Sequence, residues 1–298
     1  MRHVVMLSGG LSSYETAKRV VGRYGKDNVT LLFANTRAED DDLHRFLKES
    51  TGYLGMPIDE VSDPQQRNPF DVFFDEGFLG NSRLAPCSKL LKQLPARLRL
   101  EERFDPADTI VYVGIKWDET HRIPGILSGY HHSRKGCRKK SLCKSLFTEK
   151  GRLTGPGCTN LLPEPEAWQV QFPLTEPPYY EHQTVVDELA AVGIAEPDMY
   201  REGYQHANCK GLCVRAGQAQ WALTLKIHPD RFAYAEHEEN RFRREKDPNA
   251  AILRDWKNGG RPLPLTEFRE RVEASEREQP SFFDSADWGG CGCFTDAA

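Results

Sequence analysis

No run of apolar residues in this 298-residue chain approaches the ~18–20 needed to cross a bilayer, so a helical membrane span is excluded. Nor does charge of one sign dominate. Lys and Arg number 40 against 44 Asp and Glu, a formal net charge of −4. That balance excludes a global basic field for nucleic acid and leaves only local patches to serve one. The chain has no internal repeat and no long low-complexity linker, which argues against a repeat array. It enters a strand-like run at once, so no signal peptide is expected. Eight cysteines would suit disulfides in a secreted protein. Without a targeting segment they are expected as thiols or metal ligands in a cytoplasmic protein. What is present is enough apolar material, 39% of residues, to bury the core of one large domain or two smaller ones.

Strand-like and helix-like patterns alternate through the first ~120 residues, which predicts an α/β fold with a parallel sheet. Strands are expected at His3–Leu7, Val29–Ala34, Pro57–Val61 and Thr109–Ile115, and helices at Ser13–Tyr24, Asp40–Leu54 and Leu90–Leu100. The second of these helices opens on acidic residues, as the macrodipole favours. Beyond residue 130 the pattern changes. A basic stretch, Arg134–Lys150, is followed by the Gly- and Pro-rich loop Gly151–Pro165. A strand is then expected at Ala167–Pro173, with helices at Gln183–Val192, Ala216–His228 and Phe232–Asp255. This reading divides the chain into a nucleotide-binding α/β core (1–130), a basic Cys-containing insertion (131–165), and a segment completing the core with a helical, cysteine-containing C-terminal region (166–298).

Within the first 24 residues, Ser8-Gly9-Gly10-Leu11-Ser12-Ser13 joins a strand to a helix. Such a turn aims backbone N–H groups and small hydroxyls at an anion with the helix dipole behind them. Its glycines admit positive φ and close approach of a phosphate. The expected ligand is the phosphate end of a nucleotide.

Five segments in order resemble one family. Ser8-Gly9-Gly10-x-x-Ser13 resembles the PP-loop, S-G-G-x-D-S, of the ATP pyrophosphatases. Phe33-Ala34-Asn35-Thr36, followed by Glu39, resembles the end of that family's second strand, where the backbone meets adenine. Cys87-Ser88-x-x-Leu91-Lys92-x-x-Pro95 resembles the C-S/T-x-x-x-K-x-x-P stretch of phosphoadenylyl-sulfate (PAPS) reductase-like members. Gly114-Ile115-Lys116-x-Asp118-Glu119-Thr120-x-Arg122 resembles their G-I-R-x-D-E-S-x-R. Phe172-Pro173-Leu174, Met199-Tyr200-x-x-Gly203 and Asn208-Cys209-x-x-x-Cys213-Val214 resemble their C-terminal half. The resemblance spans residues 3–230 and implies the Rossmann-like adenine nucleotide alpha hydrolase fold, with ATP and Mg2+ as ligands. One position departs: Ser12 stands where the PP-loop carries Asp, which weakens the case for ordinary ATP cleavage.

Under this resemblance Ser8, Gly9, Gly10, Ser12 and Ser13 cradle phosphates, and Asn35, Thr36, Glu39 and Gly114 line the nucleotide pocket. Lys92, Lys116 and Arg122 supply positive charge to the phosphates or to leaving pyrophosphate. Asp118 is a candidate Mg2+ ligand, or with Glu119 orients Arg122. Cys87, read as lying just before a helix and beside Lys89 and Lys92, is a candidate reactive thiolate. Cys209, Cys213, Cys291 and Cys293 form two close pairs suited to Zn2+ or an iron–sulfur cluster. A 4Fe-4S cluster is favoured because sulfur-transferring relatives use one. Cys137, Cys143 and Cys158, with His131 and His132, could form a second metal site, and the basic residues around them could meet a nucleic-acid backbone.

Three function classes follow. The first is an ATP-dependent adenylating enzyme that activates its substrate with pyrophosphate release, for sulfur transfer to a nucleic acid or nucleotide, supplied by a sulfur donor protein. The second is a phosphoadenylyl-sulfate reductase. Its E-C-G-L/I-H tail is matched here only by Gly290-Cys291-Gly292-Cys293-Phe294, without the Glu or the His. The third is a non-catalytic nucleotide-binding regulatory protein.

Overall fold

Successive residues of the first strand, β1 (Arg2–Leu7), point to opposite sides of a sheet. Val5 and Leu7 join one buried cluster, and Val4 and Met6 another. A strand buried on both faces belongs in the middle of a parallel sheet covered by helices, and that is its position in the computed structural model, which describes residues 1–81, 84–131 and 167–278. With β2 (Val29–Asn35), β3 (Ile58–Ser62), β4 (Thr109–Val113) and β5 (Gln169–Gln171) it forms a five-stranded sheet in the order β3-β2-β1-β4-β5, every pair parallel. The order reverses between β1 and β4, and open sheets of this kind bind ligands outside the carboxyl ends of the strands at such a switch point.

Helices α1 (Leu11–Tyr24) and α2 (Asp41–Leu54) cover one face, together with the later helix His182–Ala191. The other face is covered by α4 (Leu94–Arg103) and α5 (Ile123–His131), with the buried Trp168. Between β3 and α4 lies α3 (Pro69–Glu76), which the sequence reading left unassigned. It starts at a reciprocal cap in which Asn68 accepts from the Phe70 and Asp71 amides, while Asp71 accepts from the Asn68 amide.

The expected helix at Leu90–Leu100 is longer and irregular. Helical structure begins at Pro86, widens to a π-helical stretch over Ser88–Gln93, and continues as α4. Pro95 explains the widening. It has no N–H to give the preceding turn, and its ring would crowd the carbonyl four residues back, at Leu91.

After α6 (His182–Ala191) and α7 (Asp198–Arg201) come α8 (Gln218–Ile227), α9 (Pro229–Glu245) and α10 (Leu265–Glu278). The last three share a separate apolar cluster with α3, built on Phe73, Trp221, Phe232, Phe242 and Phe268. The single helix expected over Phe232–Asp255 is corrected here. α9 ends at Glu245, and Leu253–Asp255 forms β6, antiparallel to β7 (Arg261–Leu263). Pro248, three residues past Glu245, cannot continue the helix, and buried Glu239 holds the returning chain by accepting from the Ile252 amide at 2.8 Å and the Leu265 amide at 2.5 Å. Among the described residues no helix is long and apolar enough to cross a membrane.

Candidate functional site

The glycine turn leaves β1 at the switch point. Gly9 has φ +80°, a region open to glycine at little cost, and a Cβ there would lie 2.4 Å from the Leu43 side chain of α2. Ser13 ties the loop together. Its hydroxyl donates to the Gly10 carbonyl at 2.8 Å and accepts from the Ser8 amide at 3.1 Å. Gly10, at the N-cap of α1, has no side chain to cap the first turn.

From the adjacent strand β4, Gly114 meets the same loop. A Cβ at Gly114 would lie 2.9 Å from the Ser12 carbonyl oxygen and 3.1 Å from the Ser13 nitrogen, both backbone atoms. Two segments 100 residues apart in sequence thus touch through main chain alone. Just beyond Gly114, Lys116 lies 3.7 Å from Asp118, Arg122 donates to Glu119 at 2.6 Å, and Glu119 also accepts from the Lys116 amide. Asp118 is half exposed and paired with Lys116.

Two tyrosines flank the loop that sequence reasoning gave no role. Burial pushes the Tyr180 phenol up to about 12, and the Ser12 hydroxyl beside it partly offsets that shift. The Tyr200 hydroxyl stands where a Cβ on Gly10 would come within 2.8 Å. Tyr200 belongs to one of the quoted motifs. Tyr180 lies in a Pro-rich loop whose sequence offered no signal for it.

The remaining candidates gather at the end of β2. Glu39, buried, accepts from the Thr36 hydroxyl at 2.8 Å and the Cys209 amide at 3.2 Å, and lies 3.6 Å from the ammonium of buried Lys92. Asn35 turns away from this group, donating to Glu60 and accepting from the Arg37 amide. Beside Glu39 opens a cavity of about 340 Å³ whose lining includes Thr36, Lys92, Cys87, Cys209 and Cys213. None of these three cysteines forms a disulfide. Cys209 and Cys213 are in hydrogen-bonding contact, and that contact, with burial, pushes the Cys209 thiol well up, against the opposing pull of Lys92. Cys87 does not precede a helix as expected, because it lies inside the first turn of the helical stretch that carries Lys92.

The structure therefore brings Ser8, Gly9, Gly10, Ser12, Ser13 and Gly114 to one place, and Thr36, Glu39, Lys92, Cys87, Cys209 and Cys213 to another, both beyond the carboxyl edge of the sheet. A pair of thiols in contact suits a soft metal, although among the described residues no group of three His, Cys, Asp or Glu could hold one. Cys291 and Cys293, like Cys137, Cys143, Cys158 and the basic insertion, lie outside the described residues. No protein-family model matches the chain, and no curated protein matches it.

Proposed function

We propose that the chain is an ATP-dependent adenylating enzyme of the PP-loop, PAPS reductase-like kind, which activates a nucleic acid or nucleotide for sulfur transfer. The observation that carries the reading is the backbone contact of Gly114 with Ser12 at the β1–β4 switch point. The contact seats the glycine turn where the strand order reverses, beyond the carboxyl ends of the strands, which is where open α/β sheets hold their ligands.

In this reading the amides and hydroxyls of residues 8–13 hold the phosphates of ATP, and α1 directs its positive end at them. Lys116 and Arg122 stabilise the charge that builds on pyrophosphate as it leaves, while Asp118 helps to hold Mg2+. A substrate oxygen attacks the α-phosphorus, and a sulfur nucleophile then displaces AMP. Tyr180 stands beside Ser12, and position 12 contributes a neutral hydroxyl where PP-loop relatives carry a carboxylate. Thr36 and Glu39 fix the end of β2 next to the nucleotide. Cys209 and Cys213, with Cys291 and Cys293, would hold the 4Fe-4S cluster or Zn2+, which when bound supplies a site for sulfur.

The test is incubation with α-labelled ATP, with and without nucleic acid. AMP and pyrophosphate are expected. Sulfite released from phosphoadenylyl sulfate would favour a reductase, and nucleotide binding without turnover a regulatory protein; either overturns the proposal.

A further inference from the structure

The cavity beside Glu39 holds more than the adenylation reading uses. Five of its lining side chains are basic, Arg37, Lys92, Lys210, Arg215 and Arg231, against one acidic one, Asp230. Lys92 faces Glu39 and Arg231 faces Asp40 at 2.7 Å, and basic side chains still outnumber acidic ones on the lining. One wall is aromatic. Phe70 meets Tyr234 edge-to-face at 5.5 Å and 89°, and Tyr234 is 45% exposed.

The backbone here is strained where the cations stand. Of the four non-glycine residues with positive φ among the described residues, three line this cavity: Arg37 at 60°, Cys209 at 60° and Lys210 at 51°. Non-glycine residues held in that region cluster where a site over-determines them. The volume, about 340 Å³, is at the small end of the roughly 300–1,000 Å³ of ligand pockets.

A cationic mouth, an aromatic wall and room for one small unit fit a planar heterocycle carrying a phosphate. We infer that this cavity binds a second nucleotide unit, distinct from ATP. Its base lies along the Tyr234 ring, which Phe70 braces edge-on, and its phosphate is met by Arg37 and Lys210. Cys87, Cys209 and Cys213 are on the same lining, so the bound base lies beside the thiols. The inference deepens the proposed function by naming where the acceptor sits, and it rests on that reading in assigning ATP to the glycine loop.

The experiment uses the full chain saturated with α,β-methylene-ATP. It is titrated with nucleoside 5′-monophosphates and with labelled ten-nucleotide single strands of RNA and DNA. At least one probe is expected to bind. Tyr234→Ala and Arg37→Ala should each weaken it tenfold or more while moving the affinity for the ATP analogue less than twofold. Tyr234 is exposed enough that its variant keeps the test open if Arg37→Ala fails to fold. An oligonucleotide binding at least tenfold tighter than any monophosphate assigns the unit to a polymer; equal binding assigns it to a free nucleotide. The inference is overturned if no probe binds the saturated protein, if both variants leave probe binding unchanged, or if they weaken the ATP analogue by the same factor. Gly10→Val separates the two readings. If it leaves the analogue's affinity unchanged, the assignment of ATP to the loop fails, whatever the cavity binds.

Discussion

At the β1–β4 switch point the main chain forms the site, whereas around the cavity side chains from distant segments form it. Gly114 clears space for the backbone of Ser12 and Ser13, and Gly9 and Gly10 clear it for the Leu43 side chain and the Tyr200 hydroxyl. Across β2, Glu39 gathers Thr36, Lys92 and the Cys209 amide, a partner 170 residues away. The first arrangement depends on absent Cβ atoms. The second is long-range and depends on buried charge, whose removal leaves its partners in a low-dielectric setting. The same contrast continues into the C-terminal helices, where Glu239 alone pins two backbone amides.

The sharpest break should come at Glu39. Glu39→Ala removes an acceptor from a hydroxyl and an amide and a countercharge from a buried ammonium. It is expected to cost about 3 kcal/mol or more in denaturant unfolding; a loss within ~0.5 kcal/mol would make the cluster decorative.

Glu239 should give a pH signature of similar size. Burial pushes its carboxyl up from the ordinary 4.5 to about 7, so the folded state holds its proton longer than the unfolded one. Its contribution is whole below pH 4.5 and is lost as pH rises through about 7, a swing of roughly 3 kcal/mol at 1.36 kcal/mol per unit. Urea unfolding of the wild type at a series of pH values should show it, and Glu239→Gln should flatten it. A wild-type curve already flat across that window would contradict the assignment.

At the switch point the effect is smaller in stability and larger in binding. Gly114→Ala forces a Cβ to within 2.9 Å of backbone, at a cost of about 1–3 kcal/mol. The affinity for an ATP analogue should fall tenfold or more by calorimetry. Gly129→Ala, inside α5 where nothing lies within 4 Å, should leave the affinity unchanged and add up to about 1 kcal/mol of stability. The smallest effect is expected at the thiols. Cys209 should alkylate slowly at pH 7 and faster above pH 9, and Cys213→Ala, by removing the contact that raises it most, should speed the neutral reaction several-fold by mass spectrometry.

The same contrast explains what could be read in the sequence. Strands β1, β2 and β4 were legible because each is a short apolar run ended by a turn, and the glycine turn because its chemistry lies within six consecutive residues. The partnership of Gly114 with that turn entered through a motif, not through spacing. The cavity was not legible. Its cysteines and cations come from four separate segments, and Glu39, beside them, looks in sequence like any acidic residue before a helix. β6 was legible only in part: Pro248 marks the end of the helix three residues after Glu245, but the strand beyond it depends on Glu239 accepting from the Ile252 amide. The π-helical widening at Ser88–Gln93 has a visible cause in Pro95, but its consequence, Lys92 turned onto Glu39, depends on tertiary contact.

The most direct measurement asks where the phosphates of ATP lie. A photoreactive ATP bearing its crosslinker on the γ-phosphate, irradiated with the full chain and mapped by peptide mass spectrometry, should label residues 8–13 and the segment from Gly114 to Arg122. Label confined to residues 209–215 and the start of α9 would place the phosphates in the cationic cavity and contradict the assignment of the glycine loop.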